Sequence, residues 1–320
     1  MSAPLVLDAA AIAAACPPAD AVTAIRAALR GGLDPATDLP RQAVPLSAGQ
    51  FLLMPSDGGG DLAHVGIKVA TVAPANPARG LPRVQGSFLL LDAATLGVVA
   101  VLDGIALTTL RTPAVSVAAV LDRLLPKPES EPAPESLRVA VIGSGPQARG
   151  HVATLADVLS GRRELASVTQ LARDPGRAAP IDGARIVRLG GPESDAALRA
   201  ADVVVCATSA REPLFDNGLI ADTAVVIAVG SHEPDARELP AALLARATIV
   251  VEDPGAALRE AGDVVLAIAE GALRTEDLVP MRDAVTGVVR ADPTRPLVFK
   301  STGMSWEDLV VAEAVLAGAR

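Results

Sequence analysis

The spacing of apolar residues differs between the two halves of the chain. In the first half, residues 8–30 contain two segments with helical spacing, and five strand-like runs follow them. These runs cover residues 41–46, 50–54, 64–72, 86–91 and 98–102. Their length and their content of apolar and β-branched residues are typical of strands. A further helix is predicted over residues 105–125, with Pro113 tolerated as a kink or in an early turn.

The second half contains short, nearly continuous apolar runs separated by segments of helix length. The runs cover residues 138–142, 167–171, 184–189, 202–207, 224–229 and 248–251. Such a pattern is typical of a parallel sheet covered by helices on both faces. The tail, residues 297–318, is predicted to pass from a strand or loop into an amphipathic helix that packs on the first domain.

A proline-rich acidic segment, residues 126–136, is predicted to be an exposed linker because it has no apolar anchor. The predicted domains are therefore residues 1–125 together with 302–320, and residues 137–301.

The strand predicted at 138–142 runs directly into a glycine-rich turn and a helix. Gly143 permits a tight turn, Gly145 leaves room for phosphates to approach the backbone, and the small Ala148 lets helix and strand pack closely. Free amides at the start of the helix would meet the negative charge. The turn, with Ser144 and Gln147, is therefore predicted to bind a dinucleotide; the alternative is an ordinary strand-to-helix connection. We predict an α/β fold: a Rossmann-type doubly wound parallel sheet plus a smaller α+β domain.

Composition narrows the function. The chain has 320 residues, half of them apolar, and a net charge of −9, which argues against a nucleic-acid surface. No apolar run has the length of a membrane helix, and no leader is recognised, so a soluble cytoplasmic protein is expected. Cys16 and Cys206 lack metal-ligand or disulfide spacing and are expected to be buried, and no metal site is predicted.

Among the cations that precede the predicted dinucleotide-binding half of this acidic chain, three are candidates for chemistry: Arg41, Lys68 and Arg111. Lys68 lies in an otherwise apolar strand, where a buried ammonium needs an anion or a carbonyl. Arg111 lies in an apolar helical region, and its planar guanidinium suits a carboxylate. Both are candidates for binding an anionic substrate; the alternative is an internal salt bridge to Asp92 or Asp103.

Six segments along nearly the whole chain resemble the ornithine cyclodeaminase/μ-crystallin family, and they occur in the family's order. They are KVATVAPANPARGLPRVQG, LLDAATLGVVAVLDG, LTTLRTPAVS, VAVIGSGPQARGHV, AVGSHEPDAREL and FKSTGMSWED. The resemblance implies that Arg41, Lys68 and Arg111 hold the carboxylate of an amino or imino acid. It also implies that Lys300 and Ser301 belong to a segment that closes over the nicotinamide. The first domain would then bind substrate and form a homodimer, and the second would bind the dinucleotide.

The segment at 228–239 distinguishes members of the family. Cyclodeaminases carry an aspartate two positions after the glycine that matches Gly230, whereas this chain has His232 there. The run starting at Asp235 instead resembles the ketimine reductases. His232, Asp235 and Lys68 are therefore candidates for handling a proton. The alternatives are a hydrogen-bonded structural role for His232 and a helix cap or surface ion pair for Asp235.

The cofactor is inferred from the end of the strand predicted at 167–171. An acid there usually binds ribose hydroxyls, while an arginine accommodates a 2′-phosphate. Both types follow the strand, as Arg173 and Asp174, and resemblance to the reductase members favours NADPH over NADH. Thr208 and Ser209 are expected to contact the nicotinamide ribose or to cap a turn. Val229 and Gly230 are assigned to the same cofactor site.

Together these features predict an NAD(P)H-dependent reductase of small cyclic imino acids. The expected reaction converts Δ1-pyrroline-2-carboxylate or Δ1-piperideine-2-carboxylate to L-proline or L-pipecolate. Two other enzyme activities stay open, ornithine cyclodeamination and alanine-type amino-acid dehydrogenation. A third alternative is a non-catalytic protein of the μ-crystallin type that binds NADPH and a small ligand.

Overall fold

A computed structural model describes residues 3–58, 62–125 and 136–320. The chain forms two compact units, Met1–Val115 with Met304–Arg320, and Ser116–Gly303. The sequence placed the domain changes at residues 125 and 302. A single helix, Gly104–Leu124, runs through the first boundary, so hydrophobic periodicity could not mark it. Of the predicted linker, residues 126–135 lie outside the described residues, and Ser136 is the first residue of a strand rather than part of a loop.

The described residues of the first unit form six strands. They are β1 (Leu5–Leu7), β2 (Gln42–Leu46), β3 (Gly49–Ser56), β4 (His64–Val72), β5 (Val84–Asp92) and β6 (Val98–Asp103). Their order is β1-β6-β5-β4-β3-β2, with β1 parallel to β6 and the remaining neighbours antiparallel. The three-residue β1 is too short to produce a hydrophobic period, and the sequence did not predict it.

Helices cover one face of this sheet. Helices α1 (Ala9–Ala15) and α10 (Ser305–Gly318) contact its strands, and α2 (Pro18–Arg30) packs on α10. On β4 the residues Gly66, Lys68 and Ala70 are buried, while Val65, Ile67 and Val69 between them are only half-buried. The strand therefore has one fully covered face, and Lys68 is on it.

In the part of the second unit that the structure describes there are eight strands and seven helices, of which α3 (Gly104–Leu124) begins in the first unit. The strands are β7 (Ser136–Ile142), β8 (Glu164–Ala172), β9 (Ala184–Arg188), β10 (Val203–Cys206), β11 (Val225–Ala228), β12 (Thr248–Val251), β13 (Leu278–Pro280) and β14 (Leu297–Lys300). The other helices are α4 (Pro146–Leu159), α5 (Pro192–Ala200), α6 (Ala241–Arg246), α7 (Pro254–Glu260), α8 (Gly262–Ala269) and α9 (Met281–Thr286).

The eight strands form one parallel sheet in the order β13-β12-β14-β11-β10-β7-β8-β9. Nearly every residue of β10, β11 and β14 is fully buried, as expected for strands covered on both faces. This confirms the predicted doubly wound α/β fold. Chain order reverses between β7 and β10, and ligands of such sheets bind at the carboxyl ends of the strands beside this reversal.

Helix α3 is long and apolar enough to cross a membrane by length and hydropathy, but 72% of its most apolar window is buried inside the protein. Helices α1 and α2 pass the same test only if they are joined across a 69° bend. Burial in the core accounts for the apolar composition of α3.

Candidate active site

The turn after β7 has the backbone that the glycine pattern predicts. Gly143 has φ +129°, and a Cβ there would lie 2.5 Å from the carbonyl oxygen of Ala207, so only glycine fits. Gly145 is the N-cap of α4. Among residues 3–58, 62–125 and 136–320, no side chain caps this helix and no atom would lie within 4 Å of a Cβ on Gly145. The start of α4 therefore has space beside Gly145 and no side-chain cap from the described residues, as binding of a pyrophosphate requires.

Two side chains that the sequence analysis did not select hold this turn. The amide of the fully buried Gln170 donates to the Gly143 carbonyl (3.2 Å) and to the Ala179 carbonyl (2.9 Å). Arg149, one turn into α4, donates to the carbonyl of Ser144 (2.9 Å). The loop conformation is therefore fixed before any ligand binds.

Glu238 connects the ends of β10 and β11. One of its carboxylate oxygens accepts from the amide (2.8 Å) and hydroxyl (2.7 Å) of Thr208, and the other accepts from the amide of Gly230 (2.8 Å). Glu238 is fully buried, and burial raises the pKa of its carboxyl group, opposed mainly by the charge of Lys300. This side chain therefore sets two loops that carry predicted cofactor residues.

Lys300, expected in a segment that closes over the nicotinamide, has an internal partner instead. It is 1% exposed; its ammonium lies 2.9 Å from a carboxylate oxygen of Asp263 and donates to the Ser231 carbonyl (2.6 Å). The other oxygen of Asp263 accepts from the amides of Glu238 (2.8 Å) and Leu239 (2.7 Å). Lys300 thus stabilises the loop after β11 from within the core.

Ser301 belongs to a second buried contact. Glu252, just after β12, accepts from the Ser301 hydroxyl (2.5 Å), from the Thr302 amide (2.9 Å) and hydroxyl (3.2 Å), and from the Gly303 amide (2.9 Å). One acid thus orders the whole segment that follows β14.

Three further predicted cofactor residues lie on loops of the second unit, while Gln147 and Ala148 lie in the first turn of α4. Arg173 and Ser209 are exposed, and Val229 is half-buried. Asp174, the residue that left the cofactor prediction open, uses its carboxylate to accept from the Gly176 amide (3.1 Å) within its own turn.

Two of the candidate proton-handling residues lie at the surface. Asp235 forms an ion pair with Arg211, and its side chain is 72% exposed. His232 is also exposed, on the same loop. Asp235 thus forms a surface ion pair, the alternative to a proton-handling role that the sequence left open.

Lys68 and Arg111 lie together in the core of the first unit, paired with two acids at the start of α10. The Lys68 ammonium donates to Asp308 (2.7 Å), and Thr108 lies 3.4 Å away. Arg111 forms an ion pair with Glu307, and its Nε lies 3.3 Å from Asp308. The alternative partners considered from sequence were wrong, since Asp92 binds Thr95 and Asp103 binds the first amides of α3.

The pairing also changes the expected electrostatics. Two cations and two carboxylates carry no net charge, so Lys68 and Arg111 form the internal salt bridges that the sequence left open as the alternative, with Glu307 and Asp308 as the acids. Burial nevertheless lowers the pKa of the Lys68 ammonium to about 8, and the Asp308 carboxylate only partly opposes that shift. Lys68 therefore holds a proton at neutral pH and can release one slightly above it. Arg41 is half-buried just before β2.

Comparison with known proteins places this arrangement in a family. The sequence matches the ornithine cyclodeaminase/mu-crystallin family over residues 4–319. The chain belongs to this family. It is 31% identical, over 84% of its length and 81% of the relative, to the Delta(1)-pyrroline-2-carboxylate/Delta(1)-piperideine-2-carboxylate reductase of Azospirillum brasilense. It is also 31% identical to the ketimine reductase mu-crystallin of Mus musculus, over 78% of this chain and 74% of the relative.

Among solved structures, this member of the family is similar to the Delta(1)-pyrroline-2-carboxylate reductase of Thermococcus litoralis, whose structure holds NADH and L-proline. The TM-score is 0.83 at 25% identity, over 98% of this chain and 97% of the other. The similarity spans both units.

In this ornithine cyclodeaminase/mu-crystallin family member, sequence reasoning missed the acids. The partners of Glu238 and Glu252 lie 30 and 49 residues away, and nothing in the local sequence of these two acids or of Asp263 indicated their contacts. Glu307 and Asp308 lie in a quoted motif, but nothing in their spacing indicated their partners 196 and 240 residues away. The sequence feature that could have indicated these acids was Lys68, which lies in an apolar strand, because a buried cation requires an acid elsewhere.

Proposed function

We propose that the chain is an NAD(P)H-dependent reductase that converts Δ1-pyrroline-2-carboxylate or Δ1-piperideine-2-carboxylate to L-proline or L-pipecolate. The observation that carries the proposal is the similarity, over 84% of the chain, to a relative named for these two substrates. The first unit binds the imino acid and the second binds the dinucleotide.

The second unit fits a dinucleotide. The open space before Gly145 and the uncapped start of α4 suit the pyrophosphate, with Ser144, Gln147 and Ala148 completing the turn. When bound, the reduced nicotinamide supplies the hydride. Thr208, Ser209, Val229 and Gly230 border its site on the loops after β10 and β11. Lys300 and Ser301 shape that region from the core through Asp263 and Glu252.

NADPH is the preferred cofactor in this proposal, and NADH is the alternative. Arg173 is exposed at the end of β8 and has no ion-pair partner among the described residues. Asp174, which could otherwise bind ribose hydroxyls, is engaged in its own turn. A guanidinium at this position favours a 2′-phosphate.

The neutral cluster in the first unit suits a substrate that itself carries both charges. A protonated cyclic imine has a positive nitrogen and a negative carboxylate. Arg111, with Lys68 and Arg41, offers N–H donors to the carboxylate, and Asp308 and Glu307 offer negative charge to the nitrogen. An anion without the positive nitrogen would gain less from the same residues.

Lys68 is the proposed residue that keeps the imine nitrogen protonated. Hydride adds readily to C=N only when the nitrogen carries a proton, since the nitrogen otherwise becomes an anion. The Lys68 ammonium, with its pKa lowered to about 8 by burial, is protonated at neutral pH and is a stronger acid than an ordinary lysine. His232 and Asp235 are weaker candidates because both are exposed and Asp235 is paired with Arg211.

The protein is proposed to be a cytoplasmic homodimer. Val6, Val101, Leu89 and Ile67 lie opposite one another across four strands of the first sheet, and Val6 is 78% exposed. An apolar row of this kind on a sheet face indicates an interface. Light scattering should give a dimer mass for the wild type and a smaller mass for Val6→Asp; a monomeric wild type would contradict this part of the proposal.

The activity is tested by mixing purified protein with NADPH and Δ1-pyrroline-2-carboxylate. The proposal expects steady NADPH loss with formation of L-proline. Ammonia release from ornithine without net NADPH change would show a cyclodeaminase. Binding of NADPH with no turnover of any imino acid would show a binding protein. Lys68→Met is the inactive control.

A further inference from the structure

The amino end of α10 is held by an acid from a distant loop. Both the Ser305 amide (2.8 Å) and the Trp306 amide (3.0 Å) donate to one carboxylate oxygen of Asp38. The other oxygen accepts from the Ser56 hydroxyl at the end of β3 (3.3 Å). The first amides of a helix lack intrahelical partners, so Asp38 supplies a cap for α10 that its own N-cap residue, Met304, does not supply.

The next two residues of α10 are the acids of the buried cluster. Glu307 forms an ion pair with Arg111 and accepts from the amide of Met304 (3.0 Å), and Asp308 binds Lys68. A rotation of the first turn would move both carboxylates, because they follow the capped amides directly. Asp38 therefore acts on the cluster through two hydrogen bonds and one turn of helix.

We propose that Asp38 is a positioning residue that sets the first turn of α10, and through it the ion pairs of Lys68 and Arg111. The proposal deepens the imino acid reductase proposed above and rests on it. It assigns to Asp38 control of substrate affinity in the first unit without a role in binding of the dinucleotide.

Ionisation of the Asp38 carboxyl group is unfavourable in the folded protein. Burial raises the pKa of its carboxyl group to about 6, although the Trp306 and Ser305 amides oppose the shift. The described residues lining the adjacent cavity of about 650 Å³ include two further acids, Asp34 and Asp57, and no Lys or Arg. On α10 itself the nearest charged groups are Glu307 and Asp308. No cation among these groups compensates Asp38, so the helix amides are its main support.

The unfavourable ionisation of Asp38 makes the stability of the folded protein depend on pH, and the direction of this dependence can be measured. An acid whose pKa is higher in the folded state than in the unfolded state makes folding less favourable as the pH rises from the unfolded value of 3.8 through about 6. Asp38→Asn removes that titration. The melting temperature of the wild type relative to the variant should therefore fall, by about 2–4 °C, between pH 5 and pH 7.5.

Trp306 gives a second measurement that needs no substrate. It is the only tryptophan in the chain, it is 1% exposed, and its own amide is bound by Asp38. Its fluorescence in the full-length protein should change with an apparent pKa of about 6 in the wild type and stay constant in Asp38→Asn. Asp57→Asn is the matched control, since Asp57 lines the same cavity but does not contact α10 amides in the described part of the chain.

The kinetic test compares these proteins with NADPH and Δ1-pyrroline-2-carboxylate at pH 7.5. Asp38→Asn should raise KM for the imino acid about 3- to 10-fold and leave the Kd of NADPH unchanged; Asp57→Asn should match the wild type. Wild-type turnover with an unchanged KM in Asp38→Asn would overturn the positioning role. A wild type without turnover would reject the reductase instead, and the Trp306 titration would then decide the Asp38 proposal, with a flat wild-type curve overturning it.

Discussion

The ammonium of Lys68 and a carboxylate oxygen of Asp308 lie 2.7 Å apart in the core of the first unit, although the residues are 240 positions apart in the chain. Lys68 comes from the centre of a strand, and Asp308 comes from the first turn of the last helix. The last helix, α10, thus contributes to the core of the first unit. The pair is fully desolvated, so each charge depends on the other.

Loss of the Asp308 charge should shift the pH dependence of the reaction. A residue that acts as an acid is active below its pKa, so wild-type kcat/KM should fall as the pH rises above about 8. The carboxylate of Asp308 raises the pKa of Lys68, and Asp308→Asn should therefore move this decline to lower pH. Glu313→Gln is the control, because Glu313 lies on the same helix and pairs with His64 instead. An unchanged profile in Asp308→Asn would exclude Lys68 as the acid.

Arg111→Lys should weaken binding of the imino acid. A lysine keeps the charge but cannot reach both Glu307 and Asp308 in the way the guanidinium does. KM for the imino acid should rise at least about 10-fold, equivalent to about 1.4 kcal/mol. Arg123→Lys is the matched control, because Arg123 lies in the same helix and donates to backbone carbonyls of 292, 293 and 295. Equal KM values for the two variants would count against a substrate role for Arg111.

Glu238→Gln should weaken binding of the dinucleotide and leave binding of the imino acid unchanged. A glutamine has one acceptor oxygen where Glu238 uses two, and its amino group would oppose the amide of Thr208 or Gly230. The Kd of NADPH, measured by fluorescence, should rise about 10-fold, while KM for the imino acid stays constant. Glu233→Gln is the control, since Glu233 is an exposed acid of the same loop that pairs with Arg211. A variant that binds NADPH as the wild type does would show that the loops are set by other contacts.

Arg173→Asp should change the cofactor preference. A charge-assisted hydrogen bond to a 2′-phosphate contributes about 1.5–3 kcal/mol, and an aspartate would instead repel it and bind ribose hydroxyls. The ratio of kcat/KM for NADPH to that for NADH should fall at least about 10-fold. Arg199→Asp, at an exposed arginine in α5, should leave the ratio unchanged. If the wild type already prefers NADH, the assignment of Arg173 is wrong.

The elements that sequence predicted well are those with a long or unbroken hydrophobic period. The strand predicted at 64–72 is β4, and the one at 248–251 is β12. The glycine turn was also predicted, because Gly143 and Gly145 are required by backbone geometry that adjacent residues determine. The three-residue strands β1 and β13 were missed because they are shorter than any period.

The side-chain partners could not be predicted in the same way. A buried lysine in β4 indicates that an acid must exist, but only the fold brings Asp308 to it. Lys300 is a second example of a partner that the sequence did not indicate. Its family motif suggested a place near the cofactor, and the structure pairs its ammonium with Asp263. Long-range ion pairs depend on how distant segments pack together, and neither the spacing of residues nor the composition indicates that packing.

Transfer of deuterium from labelled cofactor tests the central claim most directly. Purified protein is mixed with Δ1-pyrroline-2-carboxylate and NADPH that carries deuterium at C4 of the nicotinamide, and the product is examined by mass spectrometry. The account predicts L-proline with one deuterium at C2, formed in equal amount to the NADPH consumed, and none with Lys68→Met. Unlabelled proline, or no proline while ornithine releases ammonia, would contradict it.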